Sequence, residues 1–222
     1  MHLLSIDLAQ LQDFTAYAVL RQVSEEEEDQ DTYQVPHLKR LEQGMSYVDQ
    51  MDRIRDVYDQ LPDSTKVIAD ATGVGQAVVD MIDDLRPVEI WIHGGEKVTQ
   101  KGSRYRVPKR ELAGVLQRVL SERRLNVHPE LEYAEILKEE MTNFKAEIDP
   151  DTGHESYAAD WRDGDHDDLV LAVAMGLWYA ERRGPWFGGG FIQTRSSLTD
   201  ARTVGYGMGF SGTADHPGVS IR

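Results

Sequence analysis

The 222-residue chain contains no cysteine, which removes two kinds of site at once. Without thiols there can be no disulfide framework and no thiolate metal site, so any bound metal must be held by oxygen or histidine ligands. No apolar run approaches the length of a membrane span, and the first residues, MHLLSIDL, lack the pattern of a signal peptide. We therefore expect a soluble protein of a reducing cytoplasm, neither secreted nor in a membrane.

Positive charge is scarce, since the formal net charge is −15. This argues against a protein that coats DNA, because nonspecific affinity comes from neutralised phosphates. The charge is nevertheless uneven: lysine and arginine are concentrated between Lys97 and Arg124, whereas acids are concentrated elsewhere, as in Glu25–Asp31. A solvated helix face gives such a basic stretch as readily as a local DNA track does, so charge alone leaves both interpretations open.

Two common nucleotide-binding motifs are also missing. No Walker A sequence is present, so the chain is not itself an ATPase of that type. Thr72-Gly73-Val74-Gly75 stands between a strand and a helix, but Val78 replaces the third small residue of a dinucleotide loop. Asp70, just before the turn, would repel a pyrophosphate, so we interpret the glycines as a tight turn and not as a Rossmann site.

Hydrophobic periodicity predicts an α/β domain. The predicted strands cover 3–8, 14–22, 33–42, 66–70, 88–92 and 125–127; the predicted helices cover 45–61, 74–85, 108–119, 130–144 and 166–180. A basic loop is expected over 96–107 and a β-hairpin over 145–159, and Pro36 favours an edge position for the third strand. An antiparallel start followed by βα units implies a mixed central sheet with helices on its faces. The domain should span 1–183, and the Gly-rich residues 184–222 should form a flexible tail.

Acidic residues stand where apolar elements end or begin. Asp7 lies in the first strand, Asp70 ends the fourth, and Asp167 and Asp168 open the apolar helix. A carboxylate at the end of a buried strand is costly to desolvate unless a cation compensates its charge, and carboxylates are natural ligands of Mg²⁺ and Mn²⁺. These positions can converge on one edge of a sheet, and Asp13 could approach the same point as a secondary ligand.

Each acid also has a simpler interpretation. Asp7 and Asp70 could hydrogen-bond turns at strand ends, and Asp167 and Asp168 could cap a helix. His166 is more simply a neighbour of that cap than a member of a site. The conjunction of the acids favours metal, because several carboxylates gathered without cations would repel one another. Two metal ions about 4 Å apart can cut a phosphodiester without a side-chain nucleophile, which suits a chain with no cysteine and no convincing Ser-His-Asp arrangement.

Three segments carry a resemblance to a known family. SIDLAQLQDFTAYAVL at the start, ADATGVGQAVVDMI after the fourth strand and HDDLVLAVAMGLWYA in the late helix resemble the nuclease domain of bacteriophage large terminases. That domain belongs to the ribonuclease H/RuvC-like superfamily, and the resemblance covers about residues 1–183. It implies a ribonuclease H-like mixed sheet flanked by helices on both faces, with an extra β-hairpin.

The resemblance also implies a site and an activity. The family's strand acids fall on Asp7 and Asp70, its helix acids on Asp167 and Asp168, and the hairpin acid of some members on Asp13. Members use Mg²⁺ or Mn²⁺, here two ions, to cut concatemeric viral DNA during packaging in the host cytoplasm. The implied partners are double-stranded DNA, a terminase ATPase domain, the small terminase subunit and the portal protein. The implied DNA-facing residues are Lys97, Lys101, Arg104, Arg106, Lys109 and Arg110, with the hairpin at 145–159.

Two departures from the family's pattern and two alternative functions stay open. The family's N-terminal ATPase is missing, so either the chain is an excised domain or a separate chain hydrolyses ATP. Leu171 stands where many members carry a further helix acid, which leaves the choice of principal ligand between Asp167 and Asp168 open. A RuvC-like Holliday-junction resolvase shares the fold and carboxylates but would normally be a dimer. A noncatalytic module that docks on portal or motor partners would use the acids only as caps.

Overall fold

The computed structural model describes residues 1–9, 14–24, 30–72, 76–144 and 166–183. Its strands are β1 (His2–Asp7), β2 (Ala16–Val23), β3 (Thr32–Arg40), β4 (Lys66–Asp70), β5 (Val88–His93), β6 (Thr99–Lys101), β7 (Arg104–Pro108) and β8 (Leu125–Val127). Its helices are α1 (Tyr47–Tyr58), α2 (Gln76–Val79), α3 (Lys109–Ser121), α4 (Ala134–Phe144) and α5 (Asp168–Arg183), with a 3₁₀ helix over Asp80–Leu85. Asp13, the expected hairpin at 145–159 and the expected tail at 184–222 lie outside the described residues.

One mixed sheet contains all the described strands, in the order β6-β7-β5-β4-β1-β2-β3-β8. β1 and β2 form the predicted antiparallel hairpin, and β4, β5 and β7 run parallel to β1. The carboxyl ends of these four parallel strands therefore meet at one edge of the sheet. The predicted mixed sheet with helices on its faces is confirmed.

Two predicted elements differ from the structure. The expected basic loop at 96–107 contains the antiparallel hairpin β6–β7, in which Arg104 and Arg106 alternate with the buried Tyr105 and Val107. Arginine at alternate positions of a strand obscures its apolar face, so the sequence pattern predicts a loop where the structure has a hairpin. The expected helix over 74–85 is a single turn, α2, followed by the 3₁₀ helix, with non-helical backbone at Ile82.

The expectation that Pro36 places the third strand at an edge is wrong. β3 pairs with β2 on one side and β8 on the other, so β8 is the edge strand. Proline is tolerated for two reasons. First, β8 pairs only with Tyr33–Val35 and so does not reach Pro36. Second, the register between β2 and β3 shifts here, because Val19 pairs with His37 whereas Arg21 pairs with Gln34, which leaves one extra residue in β3. The extra residue in β3 is a β-bulge, a position that accepts a proline within a sheet. The bulge also reverses the side-chain alternation, so that the buried positions change from Tyr33 and Val35 to Leu38.

The sheet separates two apolar cores. On one face, α1 and the α2–3₁₀ segment cover Leu4, Ile6 and Val67. On the other, α3, α4 and α5 cover Leu3 and Ile68, and this larger core includes nearly every residue of α5 from Leu169 to Ala180. An apolar surface on all sides is what the sequence predicted for a helix buried in the middle of a domain.

A glycine in α5 brings that helix close to the sheet. A Cβ at Gly176 would lie 2.7 Å from Leu20 Cδ1 and 3.3 Å from Ser5 Cβ, both in fully buried residues. Ser5 and Asp7 are two residues apart and therefore lie on the same face of β1. The close approach of α5 to Ser5 thus brings this helix to the face of the sheet that carries Asp7. The far end of α5 is anchored by Glu181, which accepts hydrogen bonds from Tyr33, Arg118 and Arg124. These partners hold the pKa of Glu181 at about 2, against the opposing effect of burial.

We expect Gly176→Ala to destabilise the protein, because the added methyl group must displace the packed Leu20 side chain. Overpacking of this kind costs about 1–3 kcal/mol. Gly114→Ala is the matched control, since Gly114 is an exposed α3 residue whose Cβ would have no neighbour within 4 Å. That variant should gain up to about 1 kcal/mol from helix propensity. Urea unfolding of both variants measures the difference, and equal free energies of unfolding would show that α5 does not need this close approach.

Candidate metal centre

Two predicted acids end neighbouring strands and share one face of the sheet. The parallel register of β1 and β4 pairs Ile6 with Ala69, so Asp7 and Asp70 follow as the next pair. Asp70 is 7% exposed. Thr72 fixes it, because the Thr72 backbone N donates to Asp70 Oδ1 at 2.7 Å and the Thr72 hydroxyl donates to the same oxygen. The hydroxyl also accepts from Ile92 N at 2.7 Å, which ties this turn to β5.

The other two predicted acids come to the same edge at the start of α5. Asp168 is the first residue of the helix and is 6% exposed. Asp167 directly precedes it, and its backbone oxygen accepts from Leu171 N at 2.9 Å. Asp167 also pairs with Lys109 Nζ at 3.0 Å, so the ammonium group at the start of α3 reaches the carboxylates.

Two members of the site were not predicted. Arg40, at the end of β3, lies in the row Asp7–Ala16–Arg40 of directly paired residues, which share one face of the sheet. Its guanidinium contacts Asp168 and also Glu140 of α4, which is 5% exposed. Glu140 follows Leu137 by three positions and precedes Phe144 by four, so it lies on the apolar stripe of its helix. A charge on that stripe was the available signal.

Burial and like charge shape the electrostatics of this edge. Burial raises the pKa of Asp7 well above its ordinary value, and Asp70, Asp167, Asp168 and Glu140 add to the rise. Burial also raises the pKa of Asp70 to about 6, although hydrogen bonds from Thr72 and Asp7 oppose this.

The pKa of Asp168 in α5 and the pKa of its neighbour Glu140 in α4 are also raised. Burial raises the pKa of Asp168 against the opposing contacts of Arg40. Burial raises the pKa of Glu140 to about 8, with Asp168 and Asp167 adding to it. Both oxygens of Glu140 accept hydrogen bonds, the arrangement of an ionised carboxylate. Asp7, Asp70, Asp168 and Glu140 are therefore costly to ionise together; Arg40 pairs with Asp168 and Glu140, and Lys109 pairs with Asp167.

The carboxylate oxygens at this edge are suitable ligands for a hard divalent cation. In this structure they do not converge on one point as the ligands of a bound ion do. Within the described ranges, no group of three or more histidine, aspartate or glutamate side chains is arranged to hold a metal ion. The oxygens are engaged instead by Arg40, Lys109 and Thr72. Buried carboxylates in excess of their cationic partners are nevertheless the ligands that Mg²⁺ and Mn²⁺ prefer.

Some of the expected DNA-facing residues are exposed, and the others are bonded to neighbouring groups of the protein. Lys97, Lys101 and Arg106 are exposed, on or beside the β6–β7 hairpin. Arg110 donates to the Glu96 backbone oxygen at 2.7 Å, whereas Lys109 belongs to the carboxylate edge. Arg104 pairs with Glu89 at 2.8 Å and also contacts Gln76, so its charge is partly compensated.

His166, the predicted neighbour of the α5 cap, packs edge-on against Phe14 with ring centroids 5.2 Å apart. Its charge lowers the pKa of Asp168, but the described contacts of His166 give it no direct bond to the carboxylates. Among the described helices, none is long and apolar enough to cross a membrane.

No protein-family model matches the chain, and no relative was found among curated proteins. Solved structures do match. The large terminase nuclease from thermophilic phage G20c is 17% identical with a TM-score of 0.51, over 79% of this chain and 80% of that one. The fold is ribonuclease H-like. A structure of the same nuclease with bound zinc gives 16% and 0.48 over 79% of each chain. RuvC from Thermus thermophilus gives 12% and 0.42 over 83% of this chain and 98% of that one.

The ribonuclease H-like fold and the likeness to the terminase nuclease domain were both predicted from the sequence, and both are confirmed. At this level of identity the likeness is one of fold. The roles of Asp7, Asp70, Asp167 and Asp168, and of Asp13 outside the described residues, therefore stay predictions.

We expect Asp70→Asn to stabilise the metal-free protein above the pKa of Asp70, about 6. A raised pKa in the folded state means that ionising the group costs folding stability as the pH rises, so a neutral side chain removes that cost, on the order of 3 kcal/mol. The asparagine oxygen still accepts from Thr72. Chemical unfolding in EDTA measures the effect, which should shrink as the pH falls through this pKa and Asp70 takes up a proton itself. Equal stability above that pH would mean that burying the ionised Asp70 at this edge does not destabilise the fold.

Proposed function

We propose that the chain is a metal-dependent DNA endonuclease that cuts double-stranded DNA by hydrolysing phosphodiester bonds. The observation that carries the proposal is the gathering of Asp7, Asp70 and Asp168 at one sheet edge, where burial raises the pKa of each and the neighbouring acids add to the rise at Asp7. Perturbed carboxylates clustered in this way are typical of a functional site. The ribonuclease H-like fold, shared with a terminase nuclease, supports the same reading.

The residues of the site have separable roles in this proposal. Asp7, Asp70 and Asp168 would hold one or two Mg²⁺ or Mn²⁺ ions, with Asp167 and Asp13 as further ligands. Such ions polarise the phosphodiester and lower the pKa of a bound water. Thr72 keeps Asp70 oriented through two hydrogen bonds. Lys109, whose ammonium group pairs with Asp167 at 3.0 Å, would contact a DNA phosphate at this edge.

The biological setting that we propose is viral genome packaging. The chain would cut concatemeric viral DNA as the nuclease part of a large terminase, together with an ATPase domain or chain, a small terminase subunit and a portal protein, in the host cytoplasm. The likeness of fold to the phage nuclease supports this setting. A local basic track reconciles an acidic chain with a polyanionic substrate, because a protein's surface potential follows its local charge distribution.

We expect Asp7→Asn to abolish Mn²⁺-dependent cleavage of linear and supercoiled DNA. Removal of a ligand should cost more than the roughly 10- to 100-fold typical of residues that only support a ligand. Asp63→Asn, an exposed acid in the turn before β4, is the control and should cleave like the unaltered protein. Gel assays with and without EDTA measure both variants. Full activity of Asp7→Asn would remove it from the mechanism.

The same assay separates the remaining alternatives. Preferential, symmetric cutting of four-way junctions by a dimer would identify a RuvC-like resolvase. Neither cleavage nor Mn²⁺ binding by the unaltered protein would leave a docking module.

We expect Arg106→Gln to weaken DNA binding and to reduce the slope of log affinity against log salt by about one unit, as loss of one phosphate contact does. Arg21→Gln removes the same charge from an exposed position on β2, opposite His2 and therefore at the end of the hairpin remote from Asp7. Filter-binding titrations with a catalytically inactive protein compare the two. Equal slopes for both variants would place the DNA away from the β6–β7 hairpin.

A further inference from the structure

The beginning of α5 is held by a residue from another helix. Glu140 of α4 is buried, and its Oε2 accepts a hydrogen bond from Val170 N at 2.8 Å. The first backbone N–H groups of a helix have no partner within the helix, so Glu140 satisfies one of them from outside. A carboxylate at that end also interacts favourably with the helix dipole. Glu140 therefore fixes the backbone from which Asp168 projects.

The second oxygen of Glu140 holds Arg40, and Arg40 holds Asp168. Arg40 Nε donates to Asp168 Oδ2 at 2.7 Å and a terminal nitrogen of Arg40 donates to Oδ1 at 3.0 Å. This fork sets the plane of the Asp168 carboxylate. The guanidinium also lies over the Phe14 ring, 5.0 Å from its centroid. Arg40 is thus constrained from three sides.

The charges of the two residues offset each other. Arg40 alone would repel a divalent cation at Asp168, because both are positive and lie in a buried, weakly screened region. Glu140 carries the opposite charge against the same guanidinium. The pair can therefore orient Asp168 while adding little net charge, and each Asp168 oxygen keeps a lone pair for a second partner.

We propose that Glu140 and Arg40 are positioning residues that orient Asp168 for divalent-cation binding. The proposal rests on the proposed nuclease function, since it takes Asp168 to be a metal ligand. Residues that support a ligand typically change metal affinity or activity 10- to 100-fold when they are altered. A buried ion pair is by itself weak evidence for stability, so a merely structural role makes a different prediction.

The first test compares Glu140→Gln with Glu139→Gln in the full chain. Glu139 is the exposed neighbour on α4, so the chemical change is the same and only the surroundings differ. Calorimetric titration with Mn²⁺ alone gives the affinity independently of cleavage. We expect Glu140→Gln to weaken Mn²⁺ binding by about tenfold or more, because Arg40 is left without its counterion, and Glu139→Gln to leave it unchanged.

The second test separates orientation from charge. Arg40→Lys keeps the positive charge but loses the planar fork that engages both Asp168 oxygens. We expect it to weaken Mn²⁺ binding, and to lower kcat for DNA cleavage at saturating metal while KM for DNA stays unchanged. Circular dichroism of each variant at the titration temperature confirms folding. Arg40→Lys keeps the proposal testable if Glu140→Gln does not fold.

The outcomes distinguish this proposal from the proposed function. If the unaltered protein neither binds Mn²⁺ nor cleaves DNA, the nuclease function fails and the positioning role fails with it. If it does both, and folded Glu140→Gln or Arg40→Lys binds Mn²⁺ as tightly as Glu139→Gln, only the positioning role is overturned. A lowered melting temperature with unchanged Mn²⁺ affinity would give the pair a structural role alone.

Discussion

The structure depends on holding several acidic side chains close together at a largely buried edge of the sheet. Asp7, Asp70 and Asp168 are brought together by the parallel pairing of β1 with β4 and by the packing of α5 on the sheet. Isolated buried carboxylates are unfavourable, so each needs a compensating partner. Arg40, Lys109 and Thr72 supply part of that compensation. The fold therefore maintains a strained electrostatic arrangement that a divalent cation would relieve, which is why we interpret the edge as a metal centre.

The β-bulge in β3 links backbone geometry to this centre. Regular alternation from Tyr33 and Val35 would turn Arg40 away from the acids. The extra residue at Val35-Pro36 shifts the alternation by one, so that Leu38 and Arg40 face the side of the sheet that α5 covers. Proline, which disrupts a regular ladder, is thus located where the disruption turns Arg40 toward Asp168.

Much of the fold and part of the site were predictable from the sequence. Apolar periodicity predicted the mixed sheet and the buried α5, and the acids at strand ends, Asp7 and Asp70, do end neighbouring strands, while their role as ligands stays a prediction. The contribution of Arg40 depends on a register shift, which appears only once β3 is paired with β2. The sequence does not predict a role for Glu140, because the apolar residues of α4 are enough to predict the helix and its buried face without this acid. Glu140 brings a carboxylate to the first turn of α5.

The most direct measurement is anomalous diffraction at the manganese edge from crystals soaked in Mn²⁺. We expect one or two anomalous peaks within coordination distance of carboxylate oxygens of Asp7, Asp70 and Asp168. No peak at this edge of the sheet at saturating Mn²⁺, or peaks only at surface acids, would contradict a metal centre here.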